Sequence, residues 1–200
     1  VSLESSPGMS SATADDIRRA ALRLFATGGY EATTMREIAA AVGIRAASLY
    51  NHFGSKEDIL WDLTSTALED LNSESEASMA RLSPDATPTQ KLHAFVRAHI
   101  AYHANNGEQA TLVNMKMGGL TKSHHRKSVA LRDRYESRLR SIMQEGVAAG
   151  EFHVPDERVA SFAILQMGIA VSGWYRPEGN LSVPQLCDVY ETLTNRMVAA

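Results

Sequence analysis

Arg45, Ser48, Tyr50, His52 and Lys56 lie close together in the chain, with the small residues Ala46 and Ala47 between them. Guanidinium, hydroxyl, imidazole and ammonium groups beside small residues suit a surface that lies against phosphates and base edges. Arg45 either reads a guanine bidentately or clamps a phosphate. A second concentration of charge comes later. Lys116, Lys122, Arg126, Lys127, Arg132, Arg134, Arg138 and Arg140 share their stretch with only Asp133 and Glu136. That field suits an anionic small molecule held by Arg134, Tyr135 and Arg138, with Met115, Met117, Phe162, Met167 and Trp174 lining an apolar interior. It equally suits a solvated helix face whose partners come from elsewhere in the fold. Other chemistries find little support. His99 and His103 stand four residues apart, but no Glu accompanies them in His-Glu-x-x-His form, and no metal is expected. There is no glycine-rich phosphate loop, nucleophile elbow or Cys-rich cluster, so neither an enzyme nor a cofactor is expected.

The elements that must position the first group are short. Thr34-x-x-Glu37 is a capping box, followed by Ile38, Ala39 and Val42 on one apolar face. Gly43 stops that helix. Ile44 and Leu49 supply the core of the next, Phe53 closes its end, and its outward side carries Arg45, Ala46, Ala47, Ser48, Tyr50 and His52. A third helix opens with Ser55-x-x-Asp58 ahead of Ile59 and Leu60. Two short helices with a tight turn and a third behind them form the layout of a helix-turn-helix.

The run Thr-Met-Arg-Glu-Ile-Ala…Val-Gly-Ile…Ser-Leu-Tyr-x-His-Phe-x-Ser-Lys-Glu resembles the DNA-binding domain of the TetR (tetracycline-repressor-like) family. The match extends upstream through Ala20–Phe25, Gly28-Gly29-Tyr30 and Ala32-Thr33-Thr34, covering roughly residues 13–70. The resemblance implies a homodimeric regulator, most simply a repressor, that binds a palindromic operator and leaves it when an effector fills its other domain. It implies a DNA surface of Thr34, Arg36, Arg45, Ala46, Ala47, Ser48, Tyr50, His52 and Lys56, with Tyr50 and Lys56 on phosphates. The family often carries a lysine and a glycine where this chain has Ala46 and Ala47, and a small hydroxyl residue at Arg45. A phosphate contact is thus in doubt at Ala46. Gly173-Trp174-Tyr175-Arg176-Pro177-Glu178-Gly179-Asn180 is similar to the end of the penultimate helix in TetR-like regulators of fatty-acid and steroid catabolism, whose effectors are acyl-CoA thioesters. The alternatives are a drug-sensing repressor of an efflux gene and, from another class, a helical ligand-binding protein without DNA binding.

Composition bounds these readings. The chain has 200 residues, 44% hydrophobic, and a net charge of −3, so a nonspecific architectural DNA protein is disfavoured. One cysteine, Cys187, excludes an internal disulfide framework and fits a cytoplasmic location, and no apolar run approaches the ~20 residues of a membrane span. Helical spacing recurs to the end without strand-like alternation, which gives an all-α class. Residues 1–12 read as a flexible tail, 13–72 as the DNA-binding domain and 73–200 as the effector-binding and dimerisation domain. Helices are expected near Asp15–Thr27, from Lys56 to about Ser73, about His124–Ala149, about Asp156–Trp174 and Val183–Val198. The last two are apolar on more than one face, and residues 156–198 are expected to form the twofold interface.

Overall fold

The computed structural model describes residues 13–115 and 117–199. The expected tail at residues 1–12 lies outside them, as do the side chains of Met115 and Met117. Among the described residues every regular element is helical: α1 (Ala14–Gly28), α2 (Met35–Ala41), α3 (Ala46–Tyr50), α4 (Lys56–Ala80), α5 (Pro88–Asn105), α6 (Gly107–Met115), a 3-10 turn (Met117–Gly119), α7 (Lys122–Ala148), α8 (Glu157–Trp174) and α9 (Val183–Val198). The all-α expectation holds.

Local chemistry sets most of these starts. Thr13 with Asp16, Thr34 with Glu37, Thr87 with Gln90 and Ser182 with Gln185 each form a reciprocal capping box. Ser55, Thr121 and Asp156 cap α4, α7 and α8 through a side-chain oxygen. Each such cap satisfies backbone donors that the first helical turn leaves open. Gly43 ends the α2 region at φ +72°, a left-handed conformation that a side chain would strain.

Two cores result. The first gathers Ile17, Ala21 and Phe25 of α1 with Ile38 and Ala39 of α2, Leu49 of α3, and Ile59, Leu60 and Leu63 of α4. The second is built on α5, α7, α8 and α9, around Leu92, Phe95, Ile100, Leu139, Ile142 and Ile164. Packing there is close: a Cβ on Gly168 of α8 would stand 2.1 Å from the His99 ring of α5.

α4 corrects one expectation. It does not end near Ser73 but runs on to Ala80, so the expected division between residues 72 and 73 falls inside a continuous helix. The polar run Ser73-Glu74-Ser75-Glu76 reads as a helix end, yet Asn72 and Ser75 are buried and Glu76 pairs with Arg138 of α7. α4 is thereby long enough to join both cores.

Candidate functional site

The helix-turn-helix presents a polar, open face. Arg36, Arg45, Ala47, Ser48, Tyr50 and His52 are all exposed, Tyr50 at 53%. Arg45 occupies the N-cap of α3 without a side-chain cap bond, which leaves its guanidinium free of that duty. Thr34 is already engaged: its hydroxyl donates to Glu37 Oε2 at 2.9 Å and accepts from the Glu37 N–H at 3.3 Å.

One candidate differs from expectation and another has a second role. Ala46 is half-buried against the first core rather than on the outward side, because the opening turn of so short a helix must lean on α2. Lys56 does have a packing role. Its ammonium donates to the carbonyls of Tyr30 (2.7 Å) and Glu31 (3.2 Å) and sits 4.3 Å over the Tyr30 ring. It pins the α1–α2 loop to the start of α4, and a phosphate contact would have to share that ammonium.

Behind this face, the α6–α7 junction grips the helix-turn-helix half. Leu112 of α6 is buried in the first core. Gly119 lies so close to Tyr30 and Leu60 that a Cβ would stand 2.9 Å from each. The Thr121 N–H donates to Glu57 Oε1 at 2.8 Å, His124 Nδ1 lies 2.9 Å from the same oxygen, and the His124 ring stacks on Trp61 at 4.6 Å.

A cavity of about 280 Å³ opens among α4, α5, α6, α7 and α8, with Leu68, Tyr102, Val113, Tyr135, Leu165 and Ile169 in its walls. His99 lies at its edge with both ring nitrogens used. A carbonyl can only accept, so Nε2–H donates to Leu165 O at 3.1 Å and Nδ1 accepts from the Tyr135 hydroxyl at 2.9 Å. Burial pushes His99 down to about 4 and holds the Tyr135 phenol well above its usual range. His103, also on the wall, is 3% exposed and has no hydrogen-bond partner at either nitrogen. Burial, then His99 and Arg132, push it down to about 2, so its imidazole is neutral.

Of the candidate effector residues, Tyr135 and Phe162 border this cavity. Arg134, Arg138, Met167 and Trp174 do not. Arg134 Nε donates to Asn72 (3.2 Å) and Arg138 to Glu76 (2.5 Å), so both arginines serve the α4–α7 contact. Met167 packs on the second core, and Trp174 is 51% exposed with its ring edge-on to Tyr175. Residues 173 and 175–177 border a separate, wider cleft of about 910 Å³ between α1, α6 and the end of α8. The cation that does reach the smaller cavity is Arg132. Its position carried a signal: Ser128, Arg132, Tyr135, Leu139 and Ile142 recur at helical spacing, one inward stripe of α7. Among the described residues, no group of three or more His, Cys, Asp or Glu could hold a metal ion. No helix there is long and apolar enough to cross a membrane.

The family description "Bacterial regulatory proteins, tetR family" matches residues 17–63, and "Tetracyclin repressor-like, C-terminal domain" matches residues 85–198. The chain belongs to the TetR family. It is a transcriptional regulator of the helix-turn-helix, homodimeric kind. The HTH-type transcriptional repressor KstR2 of Rhodococcus jostii (strain RHA1) is 30% identical over 178 residues, 85% of this TetR-family chain and 83% of that protein. A tetR-family regulatory protein from Rhodococcus RHA1 superposes with a TM-score of 0.85 at 30% identity, covering 93% of this chain and 96% of that one. AibR, solved in complex with isovaleryl coenzyme A and operator DNA, shares the fold at a TM-score of 0.80 and 24% identity, over 90% of this chain and 96% of that one.

Proposed function

We propose that this regulator is a cytoplasmic repressor that holds a palindromic operator as a homodimer and leaves it when an acyl-CoA, or a similarly bulky organic anion, occupies the 280 Å³ cavity. One observation carries the reading. Ala110, Val113 and Asn114 of α6 line the cavity, while Leu112 between them is buried in the DNA-reading core. A molecule that moves the cavity wall therefore moves a core residue of the helix-turn-helix. Such a ligand shifts the equilibrium only by its differential affinity for the two arrangements.

The apolar walls suit an acyl portion, with the coenzyme outside. Arg158 lies 5.5 Å from the ring of Phe162, a wall residue that is also partly exposed, so a cation is available near the mouth for the anionic remainder. KstR2 of Rhodococcus jostii is described as a repressor, and AibR was solved with an acyl-CoA. Both descriptions favour the same arrangement here. Dimerisation is assigned to α8 and α9, where Val159, Val189 and Leu193 are exposed among the described residues. Two recognition helices then reach half-sites about one turn, ~34 Å, apart.

The deciding experiment is a band shift on the DNA upstream of the protein's own gene, titrated with acyl-CoA thioesters, free CoA and uncharged hydrophobic drugs. Thioesters are expected to dissociate the complex and free CoA to do less. Release by the drugs alone would replace the reading with drug sensing. A Tyr50→Ala, Lys56→Ala double variant should weaken binding on all sequences and lower the salt slope by roughly one for each phosphate that is no longer neutralised. Leu193→Glu should sediment as a monomer and bind the operator poorly.

A further inference from the structure

We propose that the part of the effector entering the 280 Å³ cavity ends in a carboxylate, which takes the Arg132 guanidinium away from α6. The inference rests on the cavity being the effector site and goes further by naming the chemistry at its wall.

Among the described residues Arg132 has no counter-ion. Its Nη1 donates to Asn114 Oδ1 at 3.1 Å and its Nη2 to the Val113 carbonyl at 3.0 Å, both neutral acceptors on α6. Its Nε is buried with no partner, and no carboxylate among the described residues lies within ion-pairing distance of it. The two acidic residues at the cavity are placed otherwise: Asp133 is exposed, and Glu136 is ion-paired with Arg140. Burial pulls Arg132 below its ordinary range.

His103 adds a second, independent vacancy for hydrogen bonding. It is 3% exposed on the cavity wall, and neither nitrogen is partnered. As a neutral ring it has one N–H donor and one acceptor available. Ala67, Leu68, Leu71, Val113, Leu165 and Ile169 make much of the remaining wall. A plain hydrocarbon tail would expel water from this space and leave the Arg132 Nε and both His103 nitrogens unmet, the costly outcome for buried polar atoms. A carboxylate supplies the missing countercharge to a fork of donors and can accept from the imidazole as well.

The same substitution of partners explains release. Arg132 currently ties α7 to the last turn of α6 at Val113 and Asn114, next to Leu112 in the DNA-reading core. An ionised acceptor outcompetes a carbonyl and an amide oxygen for one guanidinium. Binding therefore frees the end of α6. The space of about 280 Å³ leaves room for a short chain or a single ring carrying the acid.

The test uses the full chain and four probes: suberyl-CoA, its terminal methyl ester, octanoyl-CoA and free suberate, read by calorimetry and by operator release. Suberyl-CoA is expected to bind roughly tenfold or more tighter than its methyl ester and than octanoyl-CoA. In Arg132→Gln that ratio should collapse towards one while the ester binds as before. Asn114→Ala, which removes a competing acceptor, should tighten suberyl-CoA; if Arg132→Gln does not fold, this variant and the wild-type ratio still decide. Equal binding of octanoyl-CoA and suberyl-CoA overturns the carboxylate while leaving a thioester effector standing. Free suberate releasing the operator as well as its thioester overturns the thioester reading and upholds the carboxylate. Failure of both suberate and suberyl-CoA to bind overturns the proposal.

Discussion

Residues 13–63 and residues 64–199 treat their buried polar groups differently. In the first region Thr13, Thr34 and Ser55 close the starts of α1, α2 and α4, and the Thr33 hydroxyl donates to the Gly29 carbonyl at 2.9 Å. Among the described residues there, no buried side-chain nitrogen or oxygen lacks a partner. In the second region Ser75, His103, Ser128, Arg132, Arg138 and Arg140 each hold at least one buried polar atom with none. An unmet buried group costs about 1–3 kcal/mol, so a fold keeps several only where something else is gained. The DNA-reading half is finished by its own sequence. In the other half two of these residues, His103 and Arg132, stand on the wall of the 280 Å³ cavity.

Acid should separate the two regions most strongly. His99 falls from its ordinary 6.5 to about 4 through burial, partly offset by its bond to Leu165, so the unfolded chain takes up its proton first. Stability is therefore full above about pH 6.5 and declines as pH falls toward 4, by an amount on the order of 3 kcal/mol for this residue. His103, pushed lower still, extends the decline. Hydrogen exchange across that range should show the second core opening before the first; simultaneous opening would erase the contrast.

Next in size is Gly168→Ala. Its Cβ would meet the His99 ring at 2.1 Å, and overpacking of that kind costs typically ~1–3 kcal/mol. Chemical denaturation should show the loss, and an unchanged midpoint would mean that the wall around His99 is looser than its geometry states. Thr34→Ala should cost about 1 kcal/mol by removing a completed cap. His103→Phe should act with the opposite sign, raising stability by up to about 1 kcal/mol, because it deletes two unpartnered nitrogens from an apolar wall. A stabilised Thr34→Ala or a destabilised His103→Phe would each reverse the assignment of finished and receptive halves.

The part legible in the sequence is the part governed by neighbours along the chain. Thr34 with Glu37, Ser55 with Asp58, Gly43 and the α9 span Val183–Val198 all follow from local chemistry, and each stands where the spacing puts it. The choice among arginines on α7 does not. Arg132, Arg134 and Arg138 have the same side chain within seven residues, and their roles depend on whether α4 or α6 lies opposite. Lys56 is similar: its carbonyl partners come from the Tyr30–Glu31 loop, far away in sequence. The end of α4 was hidden because its polar residues serve a contact with α7 rather than solvent.

The 25 residues of α4 make a rod of about 37 Å at ~1.5 Å per residue. Ala67 and Leu68 touch the cavity, and Lys56 lies about 17 Å away along the same rod, at ~1.5 Å per residue. A tilt of only ~10° about the cavity end displaces the Lys56 end by about 3 Å, a full hydrogen-bond length. Leverage, rather than local refolding, is then enough to swing the reading head, whose core α4 shares through Ile59, Leu60 and Leu63.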